Sequence, residues 1–492
     1  MYFKKKSNVI FRNFESFGYI SDNRNFGYKL TNNNENFIGD KIISESGAVF
    51  FSVLERKPQN INVLANRIKT QFPNTDLKTI TNDAIEFYCL LENEGFIVSG
   101  ETSKQCEKKD QKFSYKILEP INNKSDLCSI TAAKSTNEFF EEYFNGQPQL
   151  TNLHIEISSK CNERCVHCYI PHDNKVNHIE PKLFYNILEQ CKNMRLLHLT
   201  ISGGEPMLHE NFCDFLRKCR EYDFSINVLS NLTLLNDEII KELKNNPLLS
   251  VQVSLYSMNS LIHDEITKVK GSFERTMKSI SKLIDNNIPL QISCPILKHN
   301  KNCYKEVIKW GQKHNIYVGD DFGIIASYNH TTQNLNYRLS IKDVTQVITE
   351  KLENDSVYFN QMEIAVEKKK NVDPNDFVCS VCNSSICITE NGNVYPCAGW
   401  QDYIVGNIKE NSLRDIWLNS ERVKYLRSLR HKDFPKCIEC EDKEYCNMCM
   451  VRNANESSTG NLFEINDFFC KITKINKKLM LQRKNTQNLM CN

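Results

Sequence analysis

Apolar positions along this 492-residue chain change their period several times. Near the start, "FGYKLTNNNENFIGDKII" holds two short strand-like runs, and "ESGAVFFSVLERKP" predicts a helix stopped by Pro58. Leu64, Ile68 and Phe72 then fall at steps of four, and Ile80, Ala84, Phe87 and Leu91 at steps of four, three and four. Each set marks one apolar helical face. Gly95 ends the second helix, and "FIV" at 96–98 predicts a closing strand. Residues 1–100 therefore predict a winged-helix-like α+β module. Residues 101–149 are polar and charged, a linker or adaptor with a helix around "NEFFEEYF".

From 150 to 330 the period alternates between strand and helix. The strands are "NLHIEIS", "LLHLTIS", "INVLS", "LSVQVSLY", "PLQIS" and "IYVGDDF", with amphipathic stretches such as 181–194, 211–222 and 272–286 between them. Six βα units in a row predict an α/β fold with a parallel sheet, a partial (β/α)6 barrel. In parallel barrels the chemistry sits on the loops after the strand C-termini. Residues 331–375 form a helical bridge by pattern. Residues 376–492 are rich in cysteine and turn signals, a ligand-stapled domain with a helical tail.

Composition narrows the function classes. The net charge is +2, which argues for neither nucleic acid nor a membrane surface. Residues 1–100 carry 12 Lys or Arg against 11 Asp or Glu, a poor balance for a DNA-reading winged helix. No run of about 18 apolar residues predicts a membrane span, and the N-terminus lacks a secretory signal, so a cytoplasmic location is expected. The 21 cysteines crowd at 161–168, 379–397 and 437–449. Reduced cysteines so grouped favour metal or cluster ligation over a disulfide scaffold.

"CNERCVHC" places Cys161, Cys165 and Cys168 directly after the first barrel strand. Three thiolates can hold three corners of a [4Fe–4S] cubane and leave the fourth iron open. A zinc site would recruit a fourth ligand, His167 or His172. "ISGGEP", Gly203 to Pro206, follows the second strand.

With these two motifs in strand context, residues 150–475 resemble the radical S-adenosylmethionine (SAM) enzymes that carry a C-terminal SPASM domain. The resemblance implies that Cys161, Cys165 and Cys168 bind the catalytic cluster. Gly203, Gly204, Glu205 and Pro206 would cradle the SAM amino group. His167 matches the position of an aromatic side chain near the adenine, and Asn231 and Ser254 match positions that contact SAM polar groups. Leu232 departs from the glycine that relatives often carry. In this family SAM chelates the open iron, one electron cleaves its carbon–sulfur bond, and the resulting radical takes a hydrogen atom from the substrate.

The C-terminal cysteines fit the same family. Cys379, Cys382, Gly392 and Cys397 match the first SPASM element; Cys437, Cys440, Cys446 and Cys449 follow, then Cys470. The gap before Cys449 is one residue shorter than usual. By resemblance, Cys379, Cys382, Cys397 and Cys449 hold one auxiliary [4Fe–4S] cluster, and Cys437, Cys440, Cys446 and Cys470 a second. Without the family, the two Cys-x2-Cys pairs also allow a zinc ribbon. Cys387, in the strand-like "ICITENG", reads as a packed thiol, as do Cys191, Cys213, Cys219 and Cys294.

The N-terminal pattern resembles the leader-peptide recognition module of peptide-modifying enzymes, which add an extended leader to a sheet edge. The implied function is radical maturation of a ribosomally made precursor peptide, forming a thioether from a cysteine sulfur to carbon, with a flavodoxin- or ferredoxin-type electron donor. "DDFG" at 320–323 resembles a stretch of thioether-forming maturases. Carbon–carbon crosslinking, a sulfatase-type maturase, and a non-enzymatic winged-helix iron–sulfur regulator are the alternatives.

Overall fold

The computed structural model describes residues 1–22, 28–29, 40–110, 114–115, 140, 142–246, 249–355, 358–360, 362, 372–379, 381–446 and 448–490. Its centre is a nine-stranded sheet. Six parallel strands run in chain order: Asn152–Ser158, His198–Gly203, Ser225–Ser230, Leu249–Ser254, Leu290–Pro295 and Tyr317–Asp321. All six lie where the alternating pattern placed them. The helices Pro181–Asn193, Phe212–Glu221 and Ser272–Asp285 fall within a residue or so of the predicted stretches. Along the first strand Leu153, Ile155 and Ile157 enter the helix-side core with Phe184, Ile187 and Leu188. Strand alternation then leaves Glu156 and Ser158 on the opposite face.

The first strand is not a free edge. Strand Ser385–Ile388 pairs with it in parallel, Ser385 opposite Asn152 and Ile388 opposite Ile155. A hairpin to Asn393–Tyr395 and then Gly406–Asn407 completes the nine strands. The cysteine-rich region is thus built into the barrel sheet. Cys387 lies fully buried in that added strand, as its alternation implied.

Besides an antiparallel pairing of Tyr28–Lys29 with Ser114–Tyr115, the N-terminal region holds two three-stranded antiparallel sheets among the described residues. One orders Gln59–Asn60, Tyr2–Lys5 and Ile97–Gly100; the other orders Ile10–Asn13, Phe17–Ser21 and Asp40–Ser44. Helices Glu45–Ser52, Ile61–Lys69 and Leu77–Asn93 pack over them. The first helix ends six residues before Pro58, and Phe72 lies past the end of the second. The "NEFFEEYF" helix falls partly outside the described residues. Phe140 and Phe144 pack against Phe14, Phe17 and Tyr19.

The strands at 2–21 escaped the sequence pattern because they are short and bury charged side chains beside core residues such as Phe3, Ile10 and Ile20. Lys4 is 2% exposed and pairs with Asp110 at 2.7 Å and Glu107 at 3.0 Å. Those acids lie on and just after the helix Ser103–Lys109, which packs back on the sheet through fully buried Cys106. Arg12 is also buried. Its guanidinium donates to Leu196 O at 2.7 Å and Asp223 O at 3.0 Å. Lys5 and Arg56 both pair with the Asp223 carboxylate. These contacts fix the N-terminal region against the turns that precede the second and third barrel strands, the end opposite the strand C-termini.

Candidate active site

Cys161, Cys165 and Cys168 lie on the loop after the first strand, each partly buried. The second strand's end is zipped to this loop by backbone. Gly204 N–H donates to Ser158 O at 2.7 Å, and Glu205 N–H to Lys160 O at 2.8 Å. Both glycines are required. Gly203 has φ +141°, and a Cβ there would overlap Ser158 O. A Cβ on Gly204 would sit 2.5 Å from Ser159 O and nearer still to Lys160 O. Only glycine permits so close a backbone approach.

Glu205 is wholly buried, and its carboxylate is fully engaged. It accepts from Met207 N–H at 2.9 Å, Ser230 Oγ–H at 2.8 Å and Asn231 N–H at 2.8 Å. Burial pushes it up to about 7, while the three donors oppose the rise. Asn231 is also committed. Its Nδ2 donates to Asn162 Oδ1 at 2.9 Å, and its Oδ1 accepts from Thr233 N–H and Oγ1–H at 2.9 and 2.7 Å. Asn162 belongs to the cysteine loop, so the third strand's end is tied to that loop. Leu232 has φ +61°, the left-handed region that favours glycine. It is held there by its N–H bond to Ser230 Oγ at 2.9 Å and by a completely buried side chain.

Ser254 ends the fourth strand, two residues before Tyr256, which the motifs do not include. Tyr256 is 3% exposed, its hydroxyl lies 3.8 Å from Cys165 Sγ, and its ring meets His167 edge-on at 5.2 Å. Burial, with Lys175 adding to it, lowers His167 to about 4 and so keeps the ring neutral. Glu163, also unforeseen, is 3% exposed and accepts from Cys165 Sγ–H at 3.4 Å; burial raises it to about 7. Glu163 lies inside "CNERCVHC" and Tyr256 two residues past Ser254, so nearness to those motifs was the one signal that could have flagged them.

The thiols suit a cluster. Burial raises Cys161 to about 11 and Cys165 well above the usual thiol range, and bound iron overcomes that by deprotonating a coordinating thiol outright. Glu163 Oε1 and His167 Nδ1 are buried without a hydrogen-bond partner. A polar ligand seated on this loop would satisfy such atoms.

The C-terminal thiols separate into two electrostatic neighbourhoods. Cys382 senses Cys379 and Cys397, and Cys397 senses Cys449 and Cys379. Cys437 senses Cys446, Cys470 and Cys440, and Cys470 senses Cys446 and Cys440. Burial holds the Cys387 thiol far above the usual range, and the nearby charges of Glu156 and Cys397 add to the rise. Glu156 bridges the two regions: it accepts from Tyr169 O–H at 2.9 Å, next to Cys168, and from Gln401 Nε2–H at 2.7 Å, four residues past Cys397. Asp320 of "DDFG" turns away from the strand-end loops and pairs with Lys351 at 2.6 Å, while Asp321 accepts from Gly323 N–H at 2.9 Å.

Residues 155–311 match the radical SAM superfamily, and residues 379–450 match an iron–sulfur cluster-binding domain, the SPASM domain. The barrel is a radical SAM domain. The chain is accordingly an enzyme whose cofactors are SAM and [4Fe–4S] clusters. Among curated relatives, the chain is 26% identical over 349 residues to the antilisterial bacteriocin subtilosin biosynthesis protein AlbA of Bacillus subtilis, covering 68% of this chain and 73% of AlbA. Its fold matches Streptococcus suis SuiB bound to the precursor peptide SuiA, with a TM-score of 0.57 and 16% identity over 95% of this chain and 99% of SuiB. It also matches anSMEcpe with bound AdoMet and a Cp18Cys peptide, with a TM-score of 0.56 and 18% identity over 70% of this chain and all of that one. Among the described residues no helix is long and apolar enough to cross a membrane.

Proposed function

We propose that this enzyme matures a ribosomally synthesised precursor peptide, and that it forms a thioether between a cysteine sulfur and a carbon of that peptide. One observation carries the reading: the likeness to an enzyme solved with its precursor peptide runs over 95% of the chain, N-terminal region included. The relation to a bacteriocin biosynthesis protein supports the same substrate class. The N-terminal region is the leader-recognition module in this reading. Among the described residues, strand Asp40–Ser44 pairs on one side only, with Phe17–Ser21, and its other edge can receive an extended leader.

Cys161, Cys165 and Cys168 would hold the SAM-binding cluster. Gly203 to Pro206 would offer backbone to SAM beside that loop, the neutral His167 ring would flank its adenine, and Asn231 and Ser254 would shape its polar surroundings. Bound there, SAM and the reduced cluster supply a radical that removes a hydrogen atom from the peptide. The first auxiliary set would be Cys379, Cys382, Cys397 and Cys449, and the second Cys437, Cys440, Cys446 and Cys470. The grouping of thiols supports that division. The buried Glu156–Gln401 contact holds the first set's loop against the catalytic loop.

The test is the intact mass of a short peptide encoded beside this gene, incubated with reconstituted enzyme, SAM and reductant. Loss of two hydrogens per modification with matching loss of alkylatable cysteine supports the thioether. The same loss with cysteines free moves the product to a carbon–carbon crosslink or an oxidation. The anSMEcpe likeness covers 70% of this chain and all of that one, so a sulfatase-type maturase is the second reading. A leaderless peptide modified as fast as the full-length one would favour it.

A further inference from the structure

A cavity of about 720 Å³ lies where the N-terminal region, the barrel and the cluster domain meet. Phe14, Phe140, Phe144, Met194, Leu197 and Phe377 form its apolar walls. Phe377 is 49% exposed, and Phe140, Phe144 and Met194 are half-buried. Cavities of this size, walled by aromatic side chains at a meeting of domains, are where ligands seat. The chemistry described above does not use it. It borders Leu150, Thr151 and Leu197, which precede the first two barrel strands, so it sits at the end opposite the catalytic loops.

Two observations say what fits there. The first is that the wall belongs to the same aromatic cluster as the candidate leader edge. Phe14, Leu197, Phe140 and Phe144 pack together with Tyr19 and Ile42. Ile42, on strand Asp40–Ser44, lies opposite Tyr19. The Tyr19 ring meets Phe140 at 5.2 Å, and Phe140 meets Phe14 at 5.6 Å and stacks on Phe144 at 5.8 Å. A peptide paired to that strand therefore has the cavity within about five extended residues. The second observation is an unmet acceptor. Asn383 lines the cavity and spends its Nδ2 on Cys379 O at 3.1 Å and Val381 O at 3.3 Å. Its Oδ1 has no hydrogen-bond partner among the described residues, and a ligand carrying a donor would satisfy it. The one charged side chain among the described wall residues, Arg195, is already paired with Glu15 at 2.6 Å and lies over the Phe14 ring at 5.5 Å. A charged ligand would gain little from it.

We propose that this cavity seats an aromatic side chain of the precursor's leader, a second anchor beyond strand Asp40–Ser44. Tryptophan fits it best: the ring packs against the phenylalanine walls, and the indole N–H meets Asn383 Oδ1. The inference rests on the leader-recognition reading.

The experiment uses the full-length holoenzyme and the fluorescently labelled peptide encoded beside this gene. In a Phe377→benzoylphenylalanine variant, irradiation should crosslink position 377 to the leader, at or beside an aromatic residue, as read by mass mapping of the peptide. In anisotropy titrations, Phe377→Ala and alanine replacement of that leader residue should each weaken binding about three- to tenfold. Made together they should cost little more than either alone, because both remove one contact. Phe377→Tyr should bind within about twofold of parent, and melting temperature and iron content should stay parental in every variant. Binding unchanged by Phe377→Ala, fully additive losses, or crosslinks that map to the modified part of the peptide or to a second copy of the enzyme overturn the proposal and leave the leader reading standing. A parent enzyme that does not bind the leader overturns both.

Discussion

Replacing Gly204 by alanine tests the joint between the glycine motif and the cysteine loop. The added Cβ would lie 2.5 Å from Ser159 O and 2.6 Å from the Lys160 carbonyl carbon. Ordinary contacts of this kind begin at about 3.4 Å, so the backbones must part by roughly 1 Å. All the crowding atoms are backbone, and none can rotate away. If the joint held, overpacking would cost about 1–3 kcal/mol. Parting it would lose the 2.8 Å bond from Glu205 N–H to Lys160 O, roughly another 1 kcal/mol. Either way Cys161, next after Lys160, moves by an amount comparable to the tolerance of a catalytic constellation. The expected outcome is a folded protein that keeps its auxiliary clusters, loses up to about a third of its reconstituted iron, and makes 5′-deoxyadenosine at least about 100-fold more slowly. Iron assay, electron paramagnetic resonance and chromatographic 5′-deoxyadenosine measurement report these separately. Parental SAM cleavage with parental iron would refute the claim that the close approach positions the catalytic loop.

Three further outcomes are expected. Asp223→Asn removes the shared partner of Lys5 and Arg56; with the carboxylate partly exposed, the cost is about 2–3 kcal/mol, read as earlier unfolding and faster proteolysis of the N-terminal region. Burial alone would raise Asp223, but Lys5 and Arg56 overcome it and hold the carboxyl below its usual range. Its contribution is therefore complete above about pH 4 and is lost as pH falls through the depressed value, so the Asn variant should flatten the acid limb of the stability curve. Leu232→Gly relieves about 1 kcal/mol of left-handed strain but deletes a fully buried side chain worth about 3–5 kcal/mol, so thermal melting should show a net loss of about 2–4 kcal/mol. Cys382→Ala and Cys440→Ala should each remove about a third of the iron and leave dithionite-driven SAM cleavage within a few-fold of parent. Loss of two thirds from either would overturn the division into two sets.

The barrel was legible in the sequence because its strands obey the common grammar of apolar runs closed by polar loops. The N-terminal strands were not, because Lys4, Lys5 and Arg12 are buried there, the lysines paired with acids at positions 107, 110 and 223 and Arg12 held by distant backbone carbonyls. No local window contains both halves of such a pair. The cysteine and glycine motifs point to the candidate site, but their spacing is silent about the residues that pack against it. Tyr256, Glu163 and Glu156 enter through the meeting of separate loops. Glu205 and Asn231 stand where the motif placed them, yet their side chains are occupied in joining strand ends to the cysteine loop. The strand at 385–388 was visible as a strand; its partner, more than 200 residues upstream, was not.

That long-range pairing bears on how the chain is made. On the ribosome, the barrel strand Asn152–Ser158 emerges long before Ser385–Ile388, its neighbour in the sheet. Until then one side of a hydrophobic β-strand presents unpaired amides and carbonyls, the kind of edge that recruits other chains. A chain ending near residue 375 would keep that edge permanently. Such a fragment should aggregate on expression even though its radical SAM segment is intact. The cluster domain thus also covers the first-strand edge of the barrel sheet, and nascent barrel must be kept apart from its neighbours until that edge is paired.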